Sequence, residues 1–212
     1  MVEPESKESR KPQATHSDIR RVDSELATTD LHLRGHGERD RDVREDVLKH
    51  RSIADYSAEM CDLASALPRP LVVAGHSMGG LIALEMASKG WADAVILLNS
   101  SVPYGILPST EDERTVAKML MSSGAFWERV LRLDFSIQAE YGLNMLSLDD
   151  QRKVFDRLDA ESGRAIFEIF FWMFDEEQNV VAARRSKYMY TDFNTLLIGA
   201  PNSVHIIFSA KL

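Results

Sequence analysis

Apolar residues in this chain are grouped into runs that predict alternating strands and helices. Residues 71–74 and 94–98 are short apolar runs rich in β-branched residues, a pattern typical of strands buried on both faces of a parallel sheet. Between them, residues 81–89 are strong helix formers, and Gly90 is a natural helix end. This stretch therefore predicts a strand, a helix and a second strand, in that order.

The residues before this unit carry a weaker pattern. Residues 53–67 have helical spacing, and the apolar face of the predicted helix consists of Ile53, Tyr56, Met60, Leu63, Ala64 and Leu67. Pro68 ends that helix. Residues 26–33 predict a short strand, and the densely charged residues 38–52 predict a solvated loop or the start of a helix.

The second half of the chain changes character. Strand patterns are absent from residue 103 to about residue 190, where helical patterns cover residues 111–122, 125–133, 147–160, 163–174 and 177–188. Strand character resumes at residues 195–198 and 204–208. This order predicts an α/β fold that carries a helical insertion.

One motif in this pattern carries chemistry. Gly75-His76-Ser77-Met78-Gly79-Gly80 follows the first predicted strand directly and fits the G-x-S-x-G elbow. Gly75 and Gly79 lack Cβ atoms, so strand and helix can approach each other while Ser77 takes a strained backbone conformation. Such a turn presents a serine hydroxyl for nucleophilic attack. The alternative is a strand-to-helix turn in which the glycines serve packing only.

Two motifs together resemble the α/β-hydrolase superfamily, in particular its small esterase, lipase and peptidase-like members with a helical cap. The first is the Gly75–Gly80 elbow. The second is Asp30-Leu31-His32-Leu33-Arg34-Gly35-His36-Gly37, which is similar to the family's D-x-R-G-H-G loop and lies about forty residues earlier. The resemblance covers residues 26 to about 202. It implies a partial, mostly parallel α/β-hydrolase sheet with a helical cap insertion, in a chain that looks truncated at both ends.

The resemblance also implies site residues. Ser77 is the implied nucleophile, and the backbone N–H of Met78 is the implied oxyanion donor. Asn202 stands where the family places its catalytic acid, and an amide cannot stabilise an imidazolium as a carboxylate does. His205 is the histidine available beyond that point as the base; the alternative is an incidental strand residue.

The resemblance leaves the centre of the sheet incomplete. No segment corresponds to the family strand that lies beside the elbow strand, or to the loop that supplies the second oxyanion donor. One edge of residues 71–74 would therefore stay unpaired, unless the strand that ends near Leu31 pairs with it directly.

Four parts of the chain are expected. Residues 1–25 are a polar, disordered segment, 26–102 the core with the elbow, 103–190 the helical cap, and 191–212 a remnant of the C-terminal core. The expected function is a serine hydrolase acting on a small carboxylic ester, thioester or amide. An inactive fragment or binding remnant is the first alternative, and a C–C bond hydrolase or haloperoxidase-like enzyme is the second.

A few further residues allow a functional or a structural interpretation. His76 and His36 are interpreted as structural elements of their motifs, and Cys61 as a small core residue on a helix. The apolar run 166–174 could form the wall of an acyl- or aryl-binding pocket or could pack a cap against the core.

Composition narrows the range of partners. The net charge of −8 argues against nucleic acid, and the chain has no run of about 18 apolar residues that could span a membrane. The start of the chain lacks the apolar stretch of a secretory signal, and a single cysteine suits a reducing, cytoplasmic setting. We therefore expect a small-molecule acyl substrate, no cofactor and no metal; the oligomeric state stays open.

Overall fold

The computed structural model describes residues 28–37, 40, 42–107, 110–175, 195–197 and 205–209. Its strands are β1 (Thr28–Asp30), β2 (Leu71–His76), β3 (Ala94–Leu98), β4 (Val130–Leu131), β5 (Glu161–Ser162), β6 (Thr195–Leu197) and β7 (His205–Ser209). Its α-helices are α1 (Arg44–Leu48), α2 (Ile53–Ala64), α3 (Met78–Ser88), α4 (Glu111–Ser122), α5 (Phe135–Ile137), α6 (Leu148–Phe155) and α7 (Gly163–Phe170).

The described strands form a mostly parallel sheet. Its order is β1-β7-β2-β3-β6, and every neighbouring pair is parallel except β3 with β6. Helices α2 and α3 contribute most of the buried apolar side chains that pack with those of β2 and β3 into one core. This confirms the predicted α/β fold with a partial, mostly parallel sheet.

The neighbour of the elbow strand differs from the expectation. The strand near Leu31 does not pair with residues 71–74, because β7 lies between β1 and β2. Ile206 is in register with Thr28 on one side and Val72 on the other. Strand β7 thereby supplies hydrogen-bond partners to the edge of β2 that would otherwise be unpaired.

Helices α2 and α3 follow the sequence pattern closely. A capping box between Ser52 and Asp55 starts α2, and helix α3 begins at Met78, directly after the elbow. Four residues of the predicted apolar face are buried in α2: Ile53, Tyr56, Met60 and Ala64. Leu63 is 39% exposed, and Leu67 is partly buried beyond the end of the helix, which stops at Ala64 instead of residue 67. Cys61 is buried in this helix and belongs to the core, as its position in the pattern predicts.

The helical segment, which comprises residues 103–107 and 110–175, departs more from prediction. Helix α4 has the predicted bounds, but the helix predicted at 125–133 is wrong. A single 3₁₀ turn at Phe126–Glu128 leads instead into β4, which pairs with β5. The backbone of Gly163 donates to the Arg129 carbonyl at 3.0 Å, so tertiary pairing overrides the local pattern.

The remaining helices of this segment are shorter than predicted. Helix α6 ends at Phe155, and α7 ends at Phe170 before a separate 3₁₀ turn at Trp172–Phe174. Helix α5 and a π-helical turn at Gln138–Gly142 were not predicted, and the helix predicted at 177–188 lies outside the described residues. Of the helices that are described, none has the length and apolar character needed to cross a bilayer.

Candidate active site

Ser77 lies at the turn between the last residue of β2 and the first residue of α3. Its backbone has φ 50° and ψ −121°, a conformation that residues other than glycine rarely adopt. The Ser77 N–H donates to the Leu98 carbonyl at 3.1 Å, and the Ser77 carbonyl accepts from the Ser101 N–H at 2.9 Å. The end of β3 and the turn that follows it therefore hold both the N–H and the carbonyl of the strained residue.

Two glycines allow this close approach. A Cβ atom at Gly75 would lie 2.1 Å from the Gly79 carbonyl oxygen, and a Cβ at Gly80 would lie 2.6 Å from Ser100 Oγ. Both distances are far below van der Waals contact. The interpretation of Gly75 as a position for close strand–helix approach is thus supported by the geometry. The space beside Gly75 is filled by the backbone carbonyl of Gly79.

The start of helix α3 points hydrogen-bond donors at the turn. The first amides of any α-helix lack intrahelical partners, and the helix dipole places partial positive charge there. In α3, the N–H groups of Gly80 and Leu81 donate to the Ser77 carbonyl at 3.0 and 3.3 Å. The amides of Met78 and Gly79 come before these, next to Ser77, and can stabilise a developing oxyanion.

The elbow opens into a cavity of about 350 Å³ between the sheet and the helical segment. Ser77, Met78 and Gly79 line it, together with the turn at Ser100–Val102. Its other described lining residues are Leu31, His32, Leu33, His36, His76, Glu113, Leu133, Gln138, Gly142, Leu143, Leu158, Asp159, Glu161, Ile166, Ile169 and Phe170. The cavity therefore combines a serine, imidazoles, carboxylates and a large apolar surface.

Helix α7 divides its apolar residues between two faces. Ile166, Ile169 and Phe170 line the cavity. Phe167 packs away from it, its ring 6.2 Å from that of Phe126, which is fully buried. Phe171, just after the helix, lies 5.8 Å from Phe126 in the same way. One face of α7 thus lines the cavity and the other packs within the helical segment, while the binding of acyl or aryl groups stays a prediction.

The loop Arg34–Gly37, here called the RGHG loop, is joined to the helical segment through His36. His36 Nε2 lies 3.0 Å from Glu161 Oε2, and the Tyr56 hydroxyl donates to Glu161 Oε1 at 3.0 Å. Burial lowers the pKa of His36, but the hydrogen bond and the negative charge of Glu161 outweigh it and leave that pKa raised. His36 and Glu161 thus connect the core to the helical segment.

Arg44 and Asp159 make a second connection beside the first. Arg44 Nη1 forms an ion pair with Asp159 Oδ1 at 2.8 Å, while its other nitrogens donate to the carbonyls of Gly35 and Gly37 at 2.9 and 3.0 Å. Asp159 Oδ2 accepts the Gly37 N–H at 3.1 Å. These contacts support the interpretation of His36 as a structural residue that orders neighbouring loops.

Comparison with known proteins adds a decisive observation. The family model described as the alpha/beta hydrolase family matches residues 25–206. This chain belongs to the α/β-hydrolase family. No curated protein matches it. Family membership supports a hydrolase-type function.

The structure of this α/β hydrolase brings together some of the predicted site residues. Ser77 and Met78 both line the cavity. His205 begins β7 in register with Leu71, the first residue of β2, whereas Ser77 follows the end of β2. Leu71 and His76 are five steps apart, about 16 Å along a strand, and Ser77 lies beyond His76. The structure therefore does not bring His205 to Ser77, and Asn202 lies outside the described residues.

Several residues at the cavity of this α/β hydrolase were missed by sequence reasoning. Glu113, Asp159 and Glu161 come from the helical segment, and their place at the cavity depends on how that segment folds back. His32 was given no role, yet it lines the cavity. Its position two residues beyond β1, at the carboxyl edge of the sheet, is a signal that could have been used.

Proposed function

We propose that this α/β hydrolase is a serine hydrolase that cleaves a small carboxylic ester, thioester or amide. The observation that carries the proposal is the strained Ser77 at the start of α3, facing a cavity with apolar and polar walls. We further propose that the helical segment acts as a cap over this cavity. The cap role is supported by its residues Glu113, Ile166 and Phe170, which line the cavity together with the elbow.

The proposed reaction passes through an acyl-enzyme. Ser77 Oγ attacks the carbonyl carbon and gives its proton to an imidazole, while the Met78 N–H donates to the oxyanion of the tetrahedral intermediate. The imidazole then gives the proton to the leaving alcohol, thiol or amine as the bond to the acyl carbon breaks. Water hydrolyses the acyl-enzyme by the same steps and restores the Ser77 hydroxyl.

Histidines at the cavity provide candidates for the imidazole in place of His205. His36 is engaged with Glu161, so His32 and His76 are the candidates among the described residues of the cavity wall. Burial lowers the pKa of His76, which favours the neutral, proton-accepting form at pH 7. His32 is exposed to solvent.

A ligand-binding protein without turnover is the second candidate. The separation of His205 from Ser77 along the strands favours it, because an unactivated serine hydroxyl is a weak nucleophile. Such a protein would keep the cavity and the bound acyl ligand but would not form an acyl-enzyme. Covalent labelling of Ser77 distinguishes the two.

The test is labelling with a fluorophosphonate probe, followed by peptide mass mapping. We expect the wild type to be labelled on Ser77 and Ser77→Ala not to be labelled. Hydrolysis of a p-nitrophenyl ester should fall by at least about 10³-fold in the same variant. Ser101→Ala is the matched control, because Ser101 lines the same cavity but bonds Ser77 through its backbone N–H. An unlabelled wild type with an intact unfolding transition would contradict the proposal.

A further inference from the structure

The end of α7 is held against the part of the chain where the helical segment leaves the sheet. Trp172 Nε1 donates to the Ile106 carbonyl at 3.0 Å. The rings of Trp172 and Tyr104 lie with their centroids 4.5 Å apart and their planes tilted by 56°. Both side chains are half-buried. We call these interactions the Tyr104–Trp172 contact; they join the first residues of the helical segment to residues that follow its last described α-helix.

On one side, this contact adjoins the apolar wall of the cavity. Ile166, Ile169 and Phe170 of α7 line the cavity, and Phe170 also packs against the buried core. Burial of an alkyl or aryl group against such surface is favourable because it removes apolar area from water. Since one residue separates Phe170 from Trp172, a shift of the Trp172 ring would move the Phe170 side chain with it.

On the other side, the contact adjoins the turn that holds the elbow. The Ser101 N–H donates to the Ser77 carbonyl at 2.9 Å, and Val102 lines the cavity beside Ser77. Tyr104 follows two residues later and packs against the buried core. The Tyr104–Trp172 contact therefore links the apolar wall to the same turn that fixes Ser77.

From this geometry we infer that Trp172 is a positioning residue, which places the apolar wall of α7 where it contacts the acyl chain of a substrate bound at Ser77. The inference rests on the proposed function and names its substrate class: esters, thioesters or amides whose apolar acyl chain is long enough to reach α7. Trp172 itself does not line the cavity, so it acts through Phe170 and takes no part in the chemistry at Ser77.

The experiment compares p-nitrophenyl acetate with p-nitrophenyl hexanoate, whose acyl group is four methylene groups longer. Trp172→Phe keeps an aromatic ring and removes the N–H donor, whereas Trp172→Ala removes both. KM for the hexanoate should rise about threefold in Trp172→Phe and about tenfold in Trp172→Ala, because part of the apolar contact with the longer chain is lost. KM for the acetate and kcat for both esters should stay within about twofold, since binding and not the chemical step is altered.

The matched control is the same pair of changes at Trp127. Trp127 is a half-buried tryptophan of the same helical segment, but its ring packs on those of Phe126 and Phe167, on the face of α7 turned away from the cavity. An equal rise in KM for the hexanoate in the Trp127 variants would overturn the assignment to Trp172. An equal rise for acetate and hexanoate in the Trp172 variants would overturn the link to the acyl chain. If Trp172→Ala does not fold, Trp172→Phe decides both questions.

Tyr104→Ala tests the other half of the contact. Because the ring contact cannot be lost twice, the double variant Tyr104→Ala/Trp172→Ala should have a KM for the hexanoate within about twofold of that of Trp172→Ala alone. Effects of the two changes that multiply would overturn the Tyr104–Trp172 contact as the cause.

A binding measurement separates this inference from the proposed function. Calorimetry compares the binding of hexanamide to Ser77→Ala and to Ser77→Ala/Trp172→Phe, and it requires no turnover. Binding about threefold weaker in the double variant supports the inference even if Ser77 of the wild type is not labelled, in which case only the hydrolase proposal fails. Equal binding to the two variants overturns the inference even if Ser77 is labelled.

Discussion

Single atoms decide the shape of the elbow. The Gly79 carbonyl occupies the position that a Cβ atom of residue 75 would need, and Ser100 Oγ occupies that of residue 80. The two constraints differ in kind, because backbone cannot move away without disturbing α3, whereas a side chain can be shortened. The strained backbone of Ser77 depends on this close packing and on its hydrogen bonds to Leu98 and Ser101.

The difference between backbone and side-chain constraints leads to a first prediction. Gly75→Ala should lower the free energy of unfolding by at least about 3 kcal/mol, because the clash is with backbone. Gly80→Ala should cost less, and the second change Ser100→Gly should restore much of that loss. Gly90→Ala is the control: its Cβ meets open space, and the positive φ costs about 1 kcal/mol. Urea unfolding measures all four variants, and similar losses for Gly75 and Gly90 would contradict the packing argument.

Helices α2 and α7 are joined by a buried acid. Glu168 on α7 is fully buried; its Oε2 accepts the Ile53 N–H at the start of α2, and its Oε1 accepts from Arg164 Nε, both at 2.7 Å. Arg164 also donates to Asp175 at 2.7 Å. Burial raises the pKa of Glu168 to about 7, although the hydrogen bonds from Ile53 and Arg164 lower it. This network fixes α7, and with it the apolar wall of the cavity, relative to the core.

Loss of Glu168 should therefore destabilise the protein strongly. Glu168→Ala leaves the Ile53 N–H and part of the Arg164 guanidinium without their buried acceptor, at a cost of about 3 kcal/mol. Because the folded state holds the Glu168 proton more tightly than the unfolded state, the wild-type stability due to this group falls as pH rises from 4.5 to about 7. The difference in unfolding free energy between the wild type and Glu168→Ala should therefore decrease over that pH range. Equal losses in Glu168→Ala and in the exposed Glu111→Ala would contradict the prediction.

The cavity exists because the helical segment is held against the sheet by contacts between residues far apart in sequence. Two such contacts are His36 with Glu161 and Arg44 with Asp159, in which His36, Glu161 and Asp159 line the cavity. Both use the RGHG loop or the residues beside it, so a motif near the start of the described chain orders a segment more than a hundred residues later. One of these contacts contains a titratable histidine, so attachment of the segment should depend on pH.

The sign of this dependence follows from the raised pKa of His36. The stabilisation from its pairing with Glu161 is complete below the ordinary value of 6.5 and is lost as pH rises through the raised value. His36→Gln keeps a hydrogen-bond donor without the charge. Its deficit in unfolding free energy, about 1 kcal/mol at pH 6, should shrink toward pH 9. Glu161→Gln should show the same trend, and a constant deficit in both variants would contradict it.

The local sequence determined the strands β2 and β3, the helices α2 to α4 and the elbow with Ser77. Apolar periodicity, capping boxes and glycine spacing act between near neighbours, so they can be deduced from the chain alone. The family and the fold class followed from the same motifs. Short elements such as β4 and the 3₁₀ turn before it were not predicted, because they depend on long-range pairing with β5.

Only the tertiary structure determined that β7 lies between β1 and β2. It also determined that His205 is level with Leu71 at the start of β2, and that Glu113, Asp159 and Glu161 line the cavity. Strand order and register depend on contacts between distant segments, which carry no local pattern. The cavity wall also depends on distant contacts. The apolar residues of α7 could either pack against other segments or line a cavity, and the sequence of the helix does not decide between the two. Its position against the sheet assigns Ile166 and Phe170 to the cavity and Phe167 to the aromatic cluster.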